Sequence, residues 1–422
     1  MSEHLHLQVH LLRQHVLTRN AETTNQVLVA LQPVRDLHVG PTQSNIMLVL
    51  DDSGSMTGQP LEQVLAATRA IVDRLGPNDH LGIVGFADDA EVVHPIVNGL
   101  QRDSLRRVTD PYVWAHGRRG YGTNMALGLS RAMDEIRRNG DPTRINRMIL
   151  LTDGFASNPE HTLQIARQIS SERVSIVSLG FGGEFDMGFM DQIASFSGGA
   201  AEYIDPRHLN AAISNFLDQL SSIQNQLTDN TRISLRFRGS HRITDFYQTH
   251  PKVIYHGLAR LGPDRTWSHR LADVERKAGL EMIFSLVHPQ DAPGRKLVAD
   301  VEVRYDVPAA NRFNEVLEGR VFIEYGDDER AFMSVDPRVQ RRYNDAFVEK
   351  QQLRARQLIE AGQVDDAMRV LGTIKKRGSE HVKQLAEGTI KKLRDEGSVD
   401  SEQLFRLKMG TQKKERGEED EA

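Results

Sequence analysis

The stretch at residues 45–56, NIMLVLDDSGSM, constrains this chain more than any other. Residues 45–50 form a short apolar run, which suits a strand buried on both faces. The run stops at Asp51, and a turn built from Asp, Ser and Gly follows. Asp51, Ser53 and Ser55 fall at alternate positions, so a loop leaving the strand can aim three oxygen side chains into one space. Oxygen donors without Cys or His suit a hard cation, Mg²⁺ before Ca²⁺. Taken alone, the same residues also make an ordinary Ser-rich turn or helix cap.

From residue 45 to about 220, strands alternate with helices. Pro60 opens a helix that runs to Arg74, and Gly76-Pro77 stops it. Residues 80–86 and 90–97 read as strands joined by a short turn at 87–89. So short a connection demands an antiparallel pair, which puts the second strand at a sheet edge. Further strands at 147–152, 174–180 and 200–204 alternate with helices that start at Thr123 or span 161–170, 186–196 and 206–220. This pattern predicts a doubly wound, mostly parallel α/β sheet covered on both sides.

The flanks have a different texture. Residues 5–11, LHLQVHL, alternate, with His6, Gln8 and His10 on one face. These histidines read as the wet face of a half-buried strand, in preference to a metal strip. Residues 231–325 hold alternating strands with turns and no clear helix. The chain is therefore expected to build an antiparallel β-sandwich from residues 1–40 and 228–330, with an α/β domain of residues 42–222 inserted in it. Residues 337–410 read as a helical region, with Val339, Tyr343 and Phe347 on one stripe and helices near 381–395 and 400–409. The charged end, 411–422, reads as a disordered tail.

Composition excludes several classes. With 422 residues the chain can form two or three domains, and with no cysteine it has neither disulfides nor a thiolate metal site. A net charge of -5 disfavours general nucleic-acid binding. The N-terminus lacks the pattern of a signal peptide, and no apolar run approaches the ~18 residues of a membrane span. A cytoplasmic protein with no membrane span is expected.

In a doubly wound sheet the strand C-termini share one edge, so loops leaving them converge. Two further loops on that edge carry oxygen donors: Gly120-Tyr121-Gly122-Thr123-Asn124 before a helix, and Leu151-Thr152-Asp153-Gly154 after a strand. Asp51, Ser53, Ser55, Thr123 and Asp153 thus offer two carboxylates and three hydroxyls to a Mg²⁺, with Mn²⁺ and Ca²⁺ as alternatives. An EF-hand fails because Met56 stands where Gly is needed and a strand precedes the loop. A nucleophilic Ser53 lacks an oriented base. The run Gly180-Phe181-Gly182-Gly183 lacks the Lys-Ser/Thr of a phosphate loop.

The Asp-x-Ser-x-Ser, Gly-Thr-Asn and Thr-Asp-Gly motifs, in this order, resemble the metal-ion-dependent adhesion site of the von Willebrand factor A family. The resemblance covers roughly residues 42–222 and implies a Rossmann-like fold. The flanks are similar to bacterial members related to calcium-activated chloride channel homologues, and to inter-α-trypsin inhibitor heavy chains. What it implies is a divalent cation completed by an Asp or Glu from a partner protein, hence a non-enzymatic adaptor or scaffold. Bacterial relatives of this kind resemble accessories of MoxR-type ATPases or of kinase–phosphatase signalling sets. The loop at 110–122 carries Trp114, His116, Arg118, Arg119 and Tyr121, either a solvated loop or a recognition rim. On the second reading, Arg118 and Arg119 would steer an acidic surface to the metal. A Mg²⁺-dependent phosphoesterase, or a structural subunit whose metal staples the loops, are the competing functions.

Overall fold

The computed structural model describes residues 4–35, 39–40, 42–114, 119–181, 186–199, 201–204, 209–396 and 399. Three strands open the chain: β1 (Leu5–Leu11), β2 (His15–Leu17) and β3 (Glu22–Pro33). The α/β part follows as β4 (Gln43–Asp51), α1 (Gln59–Arg74), β5 (Asp79–Phe86), β6 (Ala90–Asn98), α2 (Arg102–Arg107), α3 (Met125–Arg138), β7 (Arg144–Thr152), α4 (Pro159–Ser171), β8 (Val174–Phe181), α5 (Met187–Ser195), β9 (Ala201–Ile204) and α6 (Leu209–Gln224). Strands return as β10 (Asp229–Phe237), β11 (Arg242–His250), β12 (Ile254–Leu258), β13 (Thr266–Arg270), β14 (Leu280–Pro289), β15 (Gly294–Val307) and β16 (Arg312–Gly326). Helices α7 (Glu329–Met333), α8 (Pro337–Glu360), α9 (Val364–Arg377) and α10 (Glu380–Glu396) close the described chain.

The central sheet has the order β6-β5-β4-β7-β8-β9, with β4 in its interior and parallel to both neighbours. The period of two along β4 sorts its side chains. Ile46, Leu48 and Leu50 pack with Leu61, Val64 and Ile71 of α1 and with Leu220 and Ile223 of α6. Met47 and Val49 face Met125, Leu129 and Ile136 of α3, Ile169 of α4 and Ile193 of α5. Because both faces of the strand are covered, the run is apolar throughout, as a two-sided burial requires. The edge strand β6 pairs with β5 antiparallel, as the short turn demands.

Two five-stranded sheets, β1-β3-β14-β11-β12 and β13-β10-β15-β16-β2, share one apolar core. Val27, Val29 and Leu31 of β3 and Phe284 of β14 meet Ile233 and Leu235 of β10 and Val301 and Val303 of β15 there. Strands from before and after the α/β part lie side by side: β14 pairs with β3, and β16 with β2. The β2–β16 pair is parallel, a departure from the all-antiparallel expectation. It arises because β2 is a three-residue edge strand that only meets the end of β16. Helix α8 lays Val339, Tyr343 and Ala346 over Leu28, Tyr247 and Ile283 on the outer face of the first sheet. Phe347, next along the stripe, lies under the Arg377 guanidinium of α9. The helix expected at 400–409 and the tail at 411–422 fall outside the described residues. Among the described residues no helix is long and apolar enough to cross a membrane.

A buried histidine pair makes this region sensitive to acid. His288 is fully buried, and its Nδ1 lies 3.2 Å from Nδ1 of His241. Burial, reinforced by His241, pushes the His288 imidazole down to about 3 from 6.5. Burial lowers His241 too, with Asp291 opposing it and Arg265 reinforcing it. Below about pH 6.5 the unfolded chain takes up a proton that folded His288 refuses, so stability is full above that pH and is lost as it falls toward 3. The expected loss is about 1.4 kcal/mol per pH unit for His288 alone. Urea unfolding at neutral pH and about one unit below the histidine range checks this. His288→Gln should flatten the slope, and an unchanged slope would refute the assignment.

Candidate metal centre

Register brings three strand ends to one edge of the central sheet. Asp51 ends β4 opposite Phe86 of β5, and Thr152 ends β7 opposite Gly180 of β8. The Asp51 carboxylate is fully buried. Its Oδ1 accepts the Ser53 N–H at 2.9 Å, and its Oδ2 accepts the Thr152 hydroxyl at 2.5 Å. Burial pushes the Asp51 carboxyl up to about 6; the Ser53 and Thr152 hydrogen bonds pull it back, and the Asp153 charge raises it further.

From Asp51 a chain of contacts runs across the loops. Ser53 precedes a single 3-10 turn, Gly54–Met56, whose Met56 is buried and anchors it to the core. The Ser53 and Ser55 hydroxyl oxygens lie 3.2 Å apart, and the Ser55 hydroxyl donates to Asp153 Oδ1 at 2.7 Å. The Gly154 N–H donates to the Thr152 hydroxyl oxygen at 3.2 Å. A Cβ on Gly154 would stand 3.3 Å from Thr123 Oγ1, so the second and third loops also touch. Thr123 is pinned from both sides: its N–H donates to Ser157 Oγ at 3.1 Å and its carbonyl accepts the Ser157 N–H at 3.0 Å. The five residues expected to ligate a metal are therefore neighbours. Among the described residues no three His, Cys, Asp or Glu side chains form a metal-type group. Two carboxylates and three hydroxyls, with no imidazole or sulfur, fit a hard divalent cation and no softer one.

The loop at 110–122 departs from its expected role. Arg119 is no rim residue: it is 5% exposed, with Nη1 2.5 Å from Asp52 Oδ2 and Nη2 3.2 Å from Glu91 Oε2. Trp114 is equally far from solvent, at 1% exposure, with the Arg119 guanidinium 5.1 Å above its ring. Its indole N–H donates to the Val108 carbonyl at 2.8 Å. The physical reason lies in β5. A Cβ at Gly85 would meet Trp114 Cζ3 at 2.7 Å and Arg119 Cζ at 3.1 Å, so the bare glycine is what lets both side chains lie on the strand. Tyr121 does stand at the rim, 71% exposed. His116 and Arg118 fall outside the described residues.

Several braces join the loops from distant positions in the chain. Thr152 orients Asp51, Asp52 neutralises Arg119, and Asp88 clips the second loop. Asp88 sits in the turn between β5 and β6, and its Oδ2 accepts the Tyr121 N–H at 2.9 Å. Gly120, at φ +95°, and Gly122 would each place a Cβ 2.1 Å from an Asp88 carboxylate oxygen, so a side chain at either would push the Asp88 clip aside. The Asn124 N–H donates to the Ala87 carbonyl at 2.7 Å, and its side chain caps α3 at Leu127. Asp88→Ala is expected to speed amide exchange at Tyr121 about 10-fold, read by hydrogen exchange, with α3 unaffected.

A doubly wound sheet with one antiparallel edge strand, and a set of hydroxyls and carboxylates gathered at its C-terminal edge, defines a class of α/β binding domain. Residues 45–232 match the von Willebrand factor type A domain family, and the chain carries such a domain. An uncharacterized protein of Synechocystis sp. is 26% identical over 298 residues, 68% of each chain. Human inter-alpha-trypsin inhibitor heavy chain H4 is 29% identical over 170 residues, which is 38% of this chain and only 18% of the heavy chain. In fold, the chain is similar to a von Willebrand factor type A protein from Catenulispora acidiphila, with a TM-score of 0.75 at 17% identity over 97% of both chains. The ArnB paralog VWA2 from Sulfolobus acidocaldarius is similar at a TM-score of 0.56 and 14% identity, over 96% of this chain and 98% of that one. Domains of this family commonly bind divalent metal ions and mediate protein–protein contacts.

Proposed function

We propose that this protein is a cation-dependent protein-binding module, an adaptor that performs no catalysis. Asp51, Ser53, Ser55, Thr123 and Asp153 would hold a Mg²⁺, some directly and some through water. When bound, the ion supplies an electrophilic position that takes an Asp or Glu carboxylate of a partner protein. The chain's own residues do the rest. Thr152 and the Ser53 N–H hold the Asp51 carboxylate in one orientation, and Ser157 holds Thr123. The Asp52 carboxylate, beside Asp51 in the chain, is turned to Arg119.

The observation that supports this reading is the contact chain from Asp51 through Ser53, Ser55 and Asp153 to the loop against Thr123. Burial, with a smaller push from the Asp153 charge, raises the Asp51 carboxyl, and a bound cation would offset both costs. The test is calorimetric titration of Mg²⁺ and Mn²⁺ into the full chain, followed by acidic-peptide binding with and without chelator. Saturable heat and chelator-sensitive binding are expected. Absence of heat would refute the reading, and Mg²⁺-dependent hydrolysis of a phosphoester panel would replace it with an enzyme.

A further inference from the structure

Three large apolar side chains left exposed by the fold stand beside the candidate metal position. Tyr121, 71% exposed, is two residues before Thr123; Phe155, 64% exposed, is two residues after Asp153. Leu127, 36% exposed, lies in the first turn of α3, directly after Thr123 and Asn124. Tyr121 and Phe155 thus flank the site from two of its three loops. The Tyr121 ring lies against the remaining loop: a Cβ at Gly54 would be 3.4 Å from its Cδ1, and the Gly54 N–H donates to the Tyr121 carbonyl at 3.2 Å. The loop that carries Phe155 is tied to Thr123 two residues further on, through the paired Ser157 contacts.

These aromatics are presented, not collapsed. The Tyr121 N–H is tied to Asp88, and the Tyr121 carbonyl accepts the Gly54 N–H, so the backbone under the ring is held on both sides. A pre-set aromatic loses little entropy when a partner covers it. Electrostatics point the same way. Arg119, which the sequence suggests as a steering cation, is consumed internally by Asp52 and Glu91. Beyond the carboxylate that the metal would take, the described rim offers a partner apolar contact.

We infer that Tyr121 and Phe155 form an apolar collar that selects a partner loop in which the metal-binding Asp or Glu is flanked by a large aliphatic or aromatic residue. This rests on the proposed metal-dependent binding and names the partner's chemistry. The occupant is a heterologous protein segment, since the metal's open position calls for a carboxylate as well as apolar cover.

The test is selection from a disulfide-closed peptide library with a fixed central Asp or Glu and random flanks, on the full chain in Mg²⁺, eluted with chelator. Enrichment of Leu, Ile, Phe or Trp beside the acid is expected. The variant Tyr121→Ser/Phe155→Ser should bind the selected peptides about 10- to 100-fold more weakly, as loss of one or two apolar contacts implies. Its Mn²⁺ titration should keep its saturable heat, since neither side chain is a proposed ligand and the backbone bonds of Tyr121 to Asp88 and Gly54 do not need the ring. Chelator-eluted peptides with no apolar preference would overturn the collar and leave the metal-dependent reading standing. Absence of any chelator-eluted peptide, together with absent Mn²⁺ heat, would overturn both. A concentration-dependent dimer abolished by the double variant would overturn the heterologous occupant in favour of a second copy of this chain.

Discussion

Replacing Arg119 by alanine is expected to lower the unfolding free energy by about 3–5 kcal/mol, the usual result of breaking a buried ion pair from one side. The Asp52 side chain is 2% exposed and would keep a charge with its strongest partner gone. Trp114 would also lose the guanidinium that covers its ring. Glu91, 41% exposed, should contribute little, and Glu91→Gln is expected to cost no more than about 1 kcal/mol. The double variant Arg119→Ala/Asp52→Asn should be less destabilised than Arg119→Ala, because a neutral amide is easier to bury than a carboxylate that has lost its guanidinium. Denaturant unfolding of the four proteins checks the set. An Arg119→Ala stability within about 1 kcal/mol of wild type would return the residue to the solvent-exposed rim.

Asp51→Asn separates binding from folding. The amide keeps an oxygen for the Ser53 N–H but loses the acceptor for the Thr152 hydroxyl, while burial no longer opposes a charge. The two effects oppose each other, so metal-free stability is expected to change by no more than about 1 kcal/mol. Mg²⁺ and Mn²⁺ affinity should fall by at least about 100-fold, since one of two carboxylates and its fixed orientation are lost. Metal added at 100 times its dissociation constant should stabilise wild type by about 2.7 kcal/mol and the variant by almost nothing. Calorimetry and thermal melts with and without metal give both numbers. Equal stabilisation of the two proteins would remove Asp51 from the site.

Much of the fold was legible because its signals are local. The apolar run of β4, the stop at Asp51 and the three-residue turn between β5 and β6 each act within a few residues. The convergence of Asp51, Thr123 and Asp153 was legible for a topological reason: parallel strands put their C-termini on one edge. The parallel pairing of β2 with β16 was not, since it joins His15–Leu17 to strand residues some 300 positions later through a three-residue contact. The braces of the site were also hidden. Asp88 and Tyr121 are 33 residues apart, and Asp88 belongs to none of the three motifs.

By itself, the sequence determined the strand and helix periods, the edge strand and the five oxygen-bearing residues, because each depends on spacing along the chain. Only the tertiary structure decided what Arg119 and Trp114 do. Their burial depends on a missing side chain at Gly85 and on a carboxylate 67 residues before Arg119. It also left Tyr121 and Phe155 outside. Whether a side chain in a basic, aromatic loop meets water or core is a property of the space around it, and that space is built by residues distant in the sequence.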